Sequence, residues 1–258
     1  SGPGTPFNLV GNPYPSAINA AQLVIDNPDI DGTIFFWDDD LSGGTDYDRS
    51  DFVYWNHTGG LSGTGNTGTG SGSVGNPNGY ISTAQGFYVR ALNGSSVLNF
   101  TNAQRVASPN SQFFRLNGED GRLWLSVENE TNFNQVLVAA LEDATEDEDR
   151  LYDAVKMRCA NPLSIAAMAN EVEHAILAFP PPFSSTTVPL RVSSKTDGVH
   201  LFKANAMQGF EGMQIYFDDV TSGQSYLLQE GTTVPAMLSA GLYEDRFYLN
   251  FVRSSTGV

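Results

Sequence analysis

Short segments of alternating apolar and polar residues, separated by turn sequences such as the three prolines at 180–182, constrain the fold of this chain more than any other feature. In one such segment the side chains of Leu123, Leu125 and Val127 point to one face. Those of Trp124 and Ser126 point to the other, so Trp124 lies either beneath a second layer or in solvent. This alternation is typical of half-buried antiparallel strands. It predicts nine strands in the second half of the chain, at residues 122–127, 135–140, 164–168, 175–178, 187–192, 199–204, 214–218, 225–228 and 246–251.

The first hundred residues predict a smaller unit with one helix. Residues 17–25 carry apolar side chains at helical spacing, with Ser16 as the N-cap. Residues 58–79 contain almost no apolar side chain and are interpreted as a mobile loop within this unit. Strands are predicted at residues 34–37, 52–55, 87–89 and 97–100.

The sequence therefore predicts a mainly β fold made of two units. Residues 1–108 form a small N-terminal β unit with one short helix, and residues 112–253 form a larger antiparallel β-sandwich, followed by a tail at 254–258. The boundary is placed where the sequence after Arg105 turns into the polar phrase 107–111.

The charge balance disfavours two classes of partner. The 258 residues include 13 basic and 29 acidic side chains, which gives a formal net charge of −16. A field of this sign repels nucleic-acid phosphates and anionic lipid. The sequence contains no apolar run of about 18 residues, so membrane insertion is not expected. Cys159 is the single cysteine, which excludes an internal disulfide.

The densest acidic cluster begins directly after Trp37 and suggests a calcium site. Calcium takes six to eight oxygen ligands in flexible geometry, and carboxylates in a loop supply them. The spacing departs from the EF-hand loop, because Asp51 occupies the glycine position and His57 the final glutamate position. The alternative is an exposed acidic turn. The candidate calcium ligands are Asp38, Asp40, Asp46, Asp48 and Asp51.

Aromatic residues around this cluster suggest a surface that binds sugar. Aromatic faces stack on sugar rings, and neighbouring carboxylates accept hydrogen bonds from hydroxyl groups. Tyr54 and Trp55 are adjacent in a strand, so one of them is expected to face outward. The alternative places Trp37 and Trp55 in the core of the small sheet. The candidate ligand-binding residues are Trp37, Tyr47, Tyr54, Trp55 and Tyr80.

The remaining polar groups give little indication of catalysis. His57, His174 and His200 are far apart and are interpreted as surface or boundary residues. A second acidic run, at 142–149, is interpreted as solvated loop charge; the alternative is a structural ion-pair corner of Asp149, Arg150 and Asp153. An enzyme is therefore not expected. A role as an ancillary part of a secreted hydrolase is the weaker alternative.

Four phrases resemble a known group of proteins: FNLVGNPYPSAI at 7–18, GYISTAQGFYV at 79–89, DRLYDAVK at 149–156 and YEDRFYLNF at 243–251. In this order they resemble the C-terminal region of Bacteroidetes secreted and cell-surface proteins, the region that precedes the sorting domain of type IX secretion cargo. The resemblance implies an extracellular or cell-surface location. It also implies strands upstream of the first phrase, so the first unit is expected to be truncated, with an uncovered sheet edge.

These observations lead to two functional expectations. The first is a non-catalytic accessory or adhesion module of a bacterial surface protein, which binds polysaccharide or a cell-surface glycan and uses calcium as a structural ion. The alternative is a structural stalk or self-assembling subunit, which a strand from another copy or from a neighbouring surface protein completes.

Overall fold

The computed structural model describes residues 7–37, 52–62, 76–94, 97–107, 120–157 and 161–254. The fold is mainly β, with a small antiparallel sheet and a larger, nearly barrel-shaped sheet, which confirms the predicted fold class. The predicted boundary between the two units, at residues 108–112, lies outside the described residues, as does most of the predicted tail. Within the described segments, no helix is long and apolar enough to cross a membrane.

The first unit contains a five-stranded sheet, a two-stranded ribbon and a short helix. The sheet has the order β1-β7-β3-β4-β5, and β2 pairs with β6 in the ribbon. In chain order the elements are β1 (Phe7–Gly11), β2 (Ile18–Asn19), α1 (Ala20–Asp26), β3 (Ile30–Trp37), β4 (Phe52–Trp55), β5 (Gly60–Leu61), β6 (Tyr80–Ile81) and β7 (Gly86–Ala91).

The second unit contains one large sheet whose order along the described strands is β16-β15-β18-β13-β11-β12-β9-β8-β14-β17, with β10 beside β12. All pairs are antiparallel except β9 with β12. The strands are β8 (Gly121–Glu128), β9 (Phe133–Ala140), β10 (Ala154–Val155), β11 (Leu163–Ala169), β12 (Val172–Phe179), β13 (Ser185–Ser194), β14 (Gly198–Gln208), β15 (Met213–Asp219), β16 (Gln224–Leu227), β17 (Thr233–Leu238) and β18 (Gly241–Arg253).

The inner face of the large sheet forms the main core. Alternate residues of nearly every strand point inward, as the pattern at Leu123, Leu125 and Val127 predicts. Phe202 packs against both Phe217 and Phe247, with ring centroids 4.8 and 4.7 Å apart. Because the sheet curls on itself, one continuous apolar interior serves all of its long strands.

The small sheet is a middle layer, covered on both faces. One face packs against α1, whose Leu23 and Val24 are buried in a cluster with Trp55. The other face packs on the outside of the large sheet, where Tyr54 lies in a cluster with Trp124 and Leu137. Trp124 therefore lies beneath a second layer, which settles the two alternatives that the strand pattern allowed.

Hydrogen bonds reinforce the contact between the two sheets. The indole Nε1 of Trp124 donates to the carbonyl oxygen of Gly60 at 2.9 Å. Arg122 Nε donates to the carbonyl oxygen of Thr58 at 2.6 Å. These bonds satisfy backbone carbonyls that the stacking of the sheets removes from water. The segment 58–62 is consequently part of the structure, and the prediction of a mobile loop beginning at residue 58 is wrong there; residues 63–75 lie outside the described segments.

The predicted helix begins too early. Residues Ile18–Asn19 pair as β2, so α1 starts at Ala20 and ends at Asp26. Its N-cap is Asn19, whose side-chain oxygen accepts from the N–H groups of Ala21 and Gln22. Ser16 is not the cap, because its hydroxyl accepts a hydrogen bond from Arg105 instead.

The predicted strand at residues 97–100 is also wrong. Side chains occupy the backbone groups of Asn99: its N–H donates to Asn27 Oδ1 at 2.6 Å, and its carbonyl oxygen accepts from Asn27 Nδ2 at 3.0 Å. Leu98 and Phe100 pack against the cluster around α1. The apolar character of Leu98 and Phe100 is thus explained by packing, without pairing in a sheet.

Candidate functional site

A groove with a volume of about 610 Å³ lies beside β12. We call it the acidic groove. It is lined by residues 145–148, by Asp153, by the end of the β11–β12 hairpin and by residues 177–188. Its size is in the range of a small-molecule or oligomer subsite, and its lining combines carboxylates with apolar side chains.

The loop that carries the carboxylates is fixed to β12 by Asp153. Its Oδ1 accepts from the N–H of Ala178 in β12, and its Oδ2 accepts from the N–H of Asp149, both at 2.8 Å. The carboxylate of Asp149 in turn accepts from the N–H of Thr145 at 2.5 Å. This chain of bonds holds the exposed side chains of residues 146–148 beside the groove.

Burial shifts the titration of Asp153. Desolvation raises its pKa to about 6, against the lowering effect of the N–H groups of Ala178 and Asp149. The negative charges of Asp149 and Glu148 add to the increase in pKa. A pKa near 6 suits a general acid. However, both oxygens of this carboxyl group accept backbone hydrogen bonds, so its geometry is that of a structural group.

His174 contributes an unpartnered polar atom to the lining of the acidic groove. The residue is 2% exposed, and its Nδ1 lies 3.1 Å from the carbonyl oxygen of Val172. Burial lowers the pKa of the imidazole, which favours the neutral form. Its Nε2 is buried and has no hydrogen-bond partner among the described residues. Buried polar atoms are normally satisfied, so this nitrogen indicates a place where a bound molecule can complete the bonding.

The apolar part of the groove ends in an exposed aromatic ring. Residues 180–182 are three consecutive prolines, and Phe183 follows them with 98% of its surface exposed. A phenylalanine so fully in water is uncommon, whereas single exposed aliphatic residues are normal. The prolines restrict the backbone before the ring, which reduces the conformational entropy that a ligand would have to remove.

The structure places the predicted aromatic residues differently from the expectation. Tyr54 and Trp55 are 7% and 2% exposed, so the prediction that one of them faces outward is wrong. They do point to opposite faces, but both faces of their sheet are covered. Trp37 is half-buried with its ring 4.9 Å from that of Phe52, and Tyr80 is half-buried in β6.

Tyr47 and the predicted calcium site lie outside the described residues. All five candidate ligands, Asp38, Asp40, Asp46, Asp48 and Asp51, lie outside the described residues. Elsewhere in the described segments, no group of three or more histidine, cysteine, aspartate or glutamate residues could hold a metal ion.

Sequence reasoning missed the acidic groove because its parts are distant in sequence. The run at 142–149 is mostly exposed, as predicted, but its exposure did not reveal which segment lies opposite. The proline run indicated a turn without indicating that Phe183 follows it into solvent. His174 and His200 are buried, so their interpretation as surface or boundary residues is wrong. A proline run that ends in an aromatic residue was the one available signal.

Comparison with known proteins finds a matching family. No curated protein matches the chain, and no solved structure matches it. One family matches residues 3–251, a range that includes both sheets and the acidic groove. The chain therefore belongs to the family described as "Domain of unknown function (DUF8693)".

Proposed function

We propose that this chain is a non-catalytic, glycan-binding accessory module, and that it binds polysaccharide in the acidic groove. The observation that carries the proposal is the exposed ring of Phe183 beside a groove whose charged lining is carboxylate. An aromatic face stacks on the apolar face of a sugar ring, while carboxylates accept hydrogen bonds from its hydroxyl groups. This is the chemistry that the sequence suggested for the first unit, where the structure instead buries Tyr54 and Trp55.

The bonding within the groove supports binding rather than catalysis. Asp153 has the raised pKa of an acid catalyst, but its two oxygens hold Ala178 and Asp149. Burial lowers the pKa of His174 and so favours its neutral form, and its Nδ1 is turned toward the carbonyl oxygen of Val172. Glycoside hydrolysis needs one carboxyl group as acid and a second as base or nucleophile across the scissile bond. Because both oxygens of Asp153 accept backbone hydrogen bonds, Asp153 is not placed to act as the acid.

The resemblance to secreted Bacteroidetes surface proteins supports an extracellular or cell-surface location for this module. Calcium remains part of the proposal as a structural ion of the 38–51 segment, on sequence grounds alone. In this account the ion would stabilise the first unit, while the sugar would bind on the second.

Retention on insoluble polysaccharides tests the proposed function. The purified chain is mixed with a panel of polymers, in calcium and in chelator, and the bound fraction is measured after sedimentation. We expect retention on at least one polymer, and a large loss of retention for Phe183→Ala. Met237→Ala is the matched control, because Met237 is also an exposed apolar residue (66%) but lies on β17. Equal retention of both variants, or no retention on any polymer, would contradict the proposal.

A second proposal rests on the edge of the small sheet. Among the described residues β1 pairs with β7 on one side only, and Leu9 of β1 is 64% exposed. Such an edge is a template for adding a strand from another chain, which is the self-assembling alternative. Sedimentation equilibrium tests it: wild-type protein should form concentration-dependent oligomers, and Leu9→Lys should be monomeric. A monomer at all concentrations would exclude this role.

A further inference from the structure

The charges around the acidic groove carry an inference about which glycans it selects. Glu146, Asp147 and Glu148 are exposed at the groove, and Asp153 lies within its lining. Within the described part of the chain, the residues that line the groove include no lysine and no arginine. A concave surface with charge of one sign concentrates ligands of the opposite sign.

The two arginines of an adjacent cavity are bound to groups outside the groove. Arg90 and Arg150 line a smaller adjacent cavity that shares Glu148 and Asp153 with the groove. Arg90 is paired with Asp31 at 2.7 Å. The guanidinium of Arg150 donates to the carbonyl oxygens of Ile30 at 2.8 Å and of Val24 at 3.3 Å. Both side chains are thus directed into the small unit.

Burial also disfavours a positive charge on the histidine of the groove. Desolvation lowers the pKa of His174, and its buried, unpartnered Nε2 is a second, independent indication of a ligand in the groove. The charged side chains among the described residues that line the groove are therefore four carboxyl groups, those of Glu146, Asp147, Glu148 and Asp153.

We propose that the acidic groove selects glycans that carry protonated amino groups, such as oligomers of glucosamine, over neutral and anionic glycans. The inference rests on the proposed function, because it names the class of glycan that the same groove binds. The amino groups would pair with the carboxylates of residues 146–148 while a sugar ring covers Phe183. An N-acetylated sugar offers the same ring without the charge, and a uronic acid offers the opposite charge.

Titration calorimetry with three soluble probes tests the selection. The probes are a glucosamine oligomer, the N-acetylglucosamine oligomer of the same length and an oligogalacturonate, at a mildly acidic pH at which the amines are protonated. We expect the glucosamine oligomer to bind about tenfold more tightly than the N-acetylated one, since partly exposed ion pairs each contribute modestly. We expect no binding of the oligogalacturonate.

A matched pair of triple variants separates the groove from the general acidity of the chain. Glu146→Gln, Asp147→Asn and Glu148→Gln together should remove the tenfold preference. The control removes the same charge from exposed positions elsewhere and should keep the preference: Glu130→Gln, Glu211→Gln and Asp245→Asn.

The possible outcomes separate the selection for charged glycans from the glycan-binding function itself. Equal affinity for charged and N-acetylated oligomers, lost in Phe183→Ala, would overturn the charge selection and leave the glycan-binding function in place. An equal loss of preference in both triple variants would show unspecific attraction and would also overturn the selection. No binding of any probe, together with no retention on any polymer, would overturn the proposed function itself.

Discussion

Trp124 of the large sheet donates its indole N–H to the carbonyl oxygen of Gly60 in the small sheet, at 2.9 Å. Replacing Trp124 by phenylalanine leaves this buried carbonyl without its partner and opens space in the cluster that includes Leu137. We expect the free energy of unfolding to fall by about 2 kcal/mol. Chemical denaturation measures it.

The control for this substitution is Tyr216→Phe. The hydroxyl of Tyr216 in β15 donates to Gln214 Oε1 in a solvent-exposed hydrogen bond, so its loss should change the free energy of unfolding by about 0.5 kcal/mol or less. Equal effects of the two substitutions would show that the bond between the sheets does not stabilise the fold.

Gly79 is expected to tolerate no side chain. Its φ is +81°, and a Cβ would lie 2.9 Å from the ring of Trp55. Gly231 has a similar φ of +83°, but a Cβ there meets nothing within 4 Å. Both alanine variants carry the cost of a left-handed backbone, about 1 kcal/mol. Gly79→Ala should lose about 1–3 kcal/mol more, because Trp55 is buried and cannot move freely. Equal melting temperatures would contradict the packing around Trp55.

Asp153 should contribute more to the free energy of unfolding at low pH than at neutral pH, which is the reverse of the usual effect of a carboxyl group. Its pKa is raised from 3.8 to about 6, so between these values the folded protein binds a proton that the unfolded chain does not. This contribution to stability is present at low pH and is lost as the pH rises through about 6. Asp153→Asn removes the titration. It also turns an amide N–H toward the N–H of Asp149 or Ala178, which should cost about 1–3 kcal/mol at neutral pH.

The difference in stability between wild type and Asp153→Asn should therefore widen as the pH falls from about 6 toward 4. Thermal denaturation across this range measures the difference, and the many acidic groups common to both proteins cancel. Asp245→Asn, at an exposed position of β18, controls for the loss of one acidic side chain. A difference that narrows on acidification would contradict the buried state of Asp153.

Calcium is expected to raise the melting temperature if the acidic cluster after Trp37 binds it. An ion that binds the folded state alone stabilises by RT ln(1 + [L]/Kd), which is about 2.7 kcal/mol at a hundredfold excess over Kd. The double variant Asp46→Asn and Asp48→Asn should lose this increase, and magnesium should not replace calcium. An equal melting temperature in calcium and in chelator would contradict calcium binding by this cluster.

The strands of the second unit could be predicted from sequence because their alternation is a local property. The edge strand β17 was missed, since Pro235 lies within it and proline argues against a central strand. In the structure Pro235 is exposed on an edge, where the missing N–H costs little. The burial of both Tyr54 and Trp55 could not be predicted, because alternation indicates which face a side chain takes but not whether a second layer covers that face.

The acidic groove was beyond prediction for a related reason. Asp153 and Ala178 are 25 residues apart, and their hydrogen bond brings the acidic run beside the β12–β13 turn. No periodic pattern records such a pairing. The residues that carry the proposed function, Phe183 and the carboxylates of 146–148, were therefore visible in the sequence only as a turn and as solvated charge.

Titration of an oligosaccharide from the best-retained polymer into wild type, Phe183→Ala and Met237→Ala tests whether sugar binds in the acidic groove through Phe183. Removing the Phe183 ring deletes the apolar surface on which a sugar would stack, so we expect an affinity loss of about tenfold or more. Met237→Ala should bind as wild type does. Wild-type affinity in Phe183→Ala would show that the sugar binds elsewhere, and the acidic groove would then lose its proposed role.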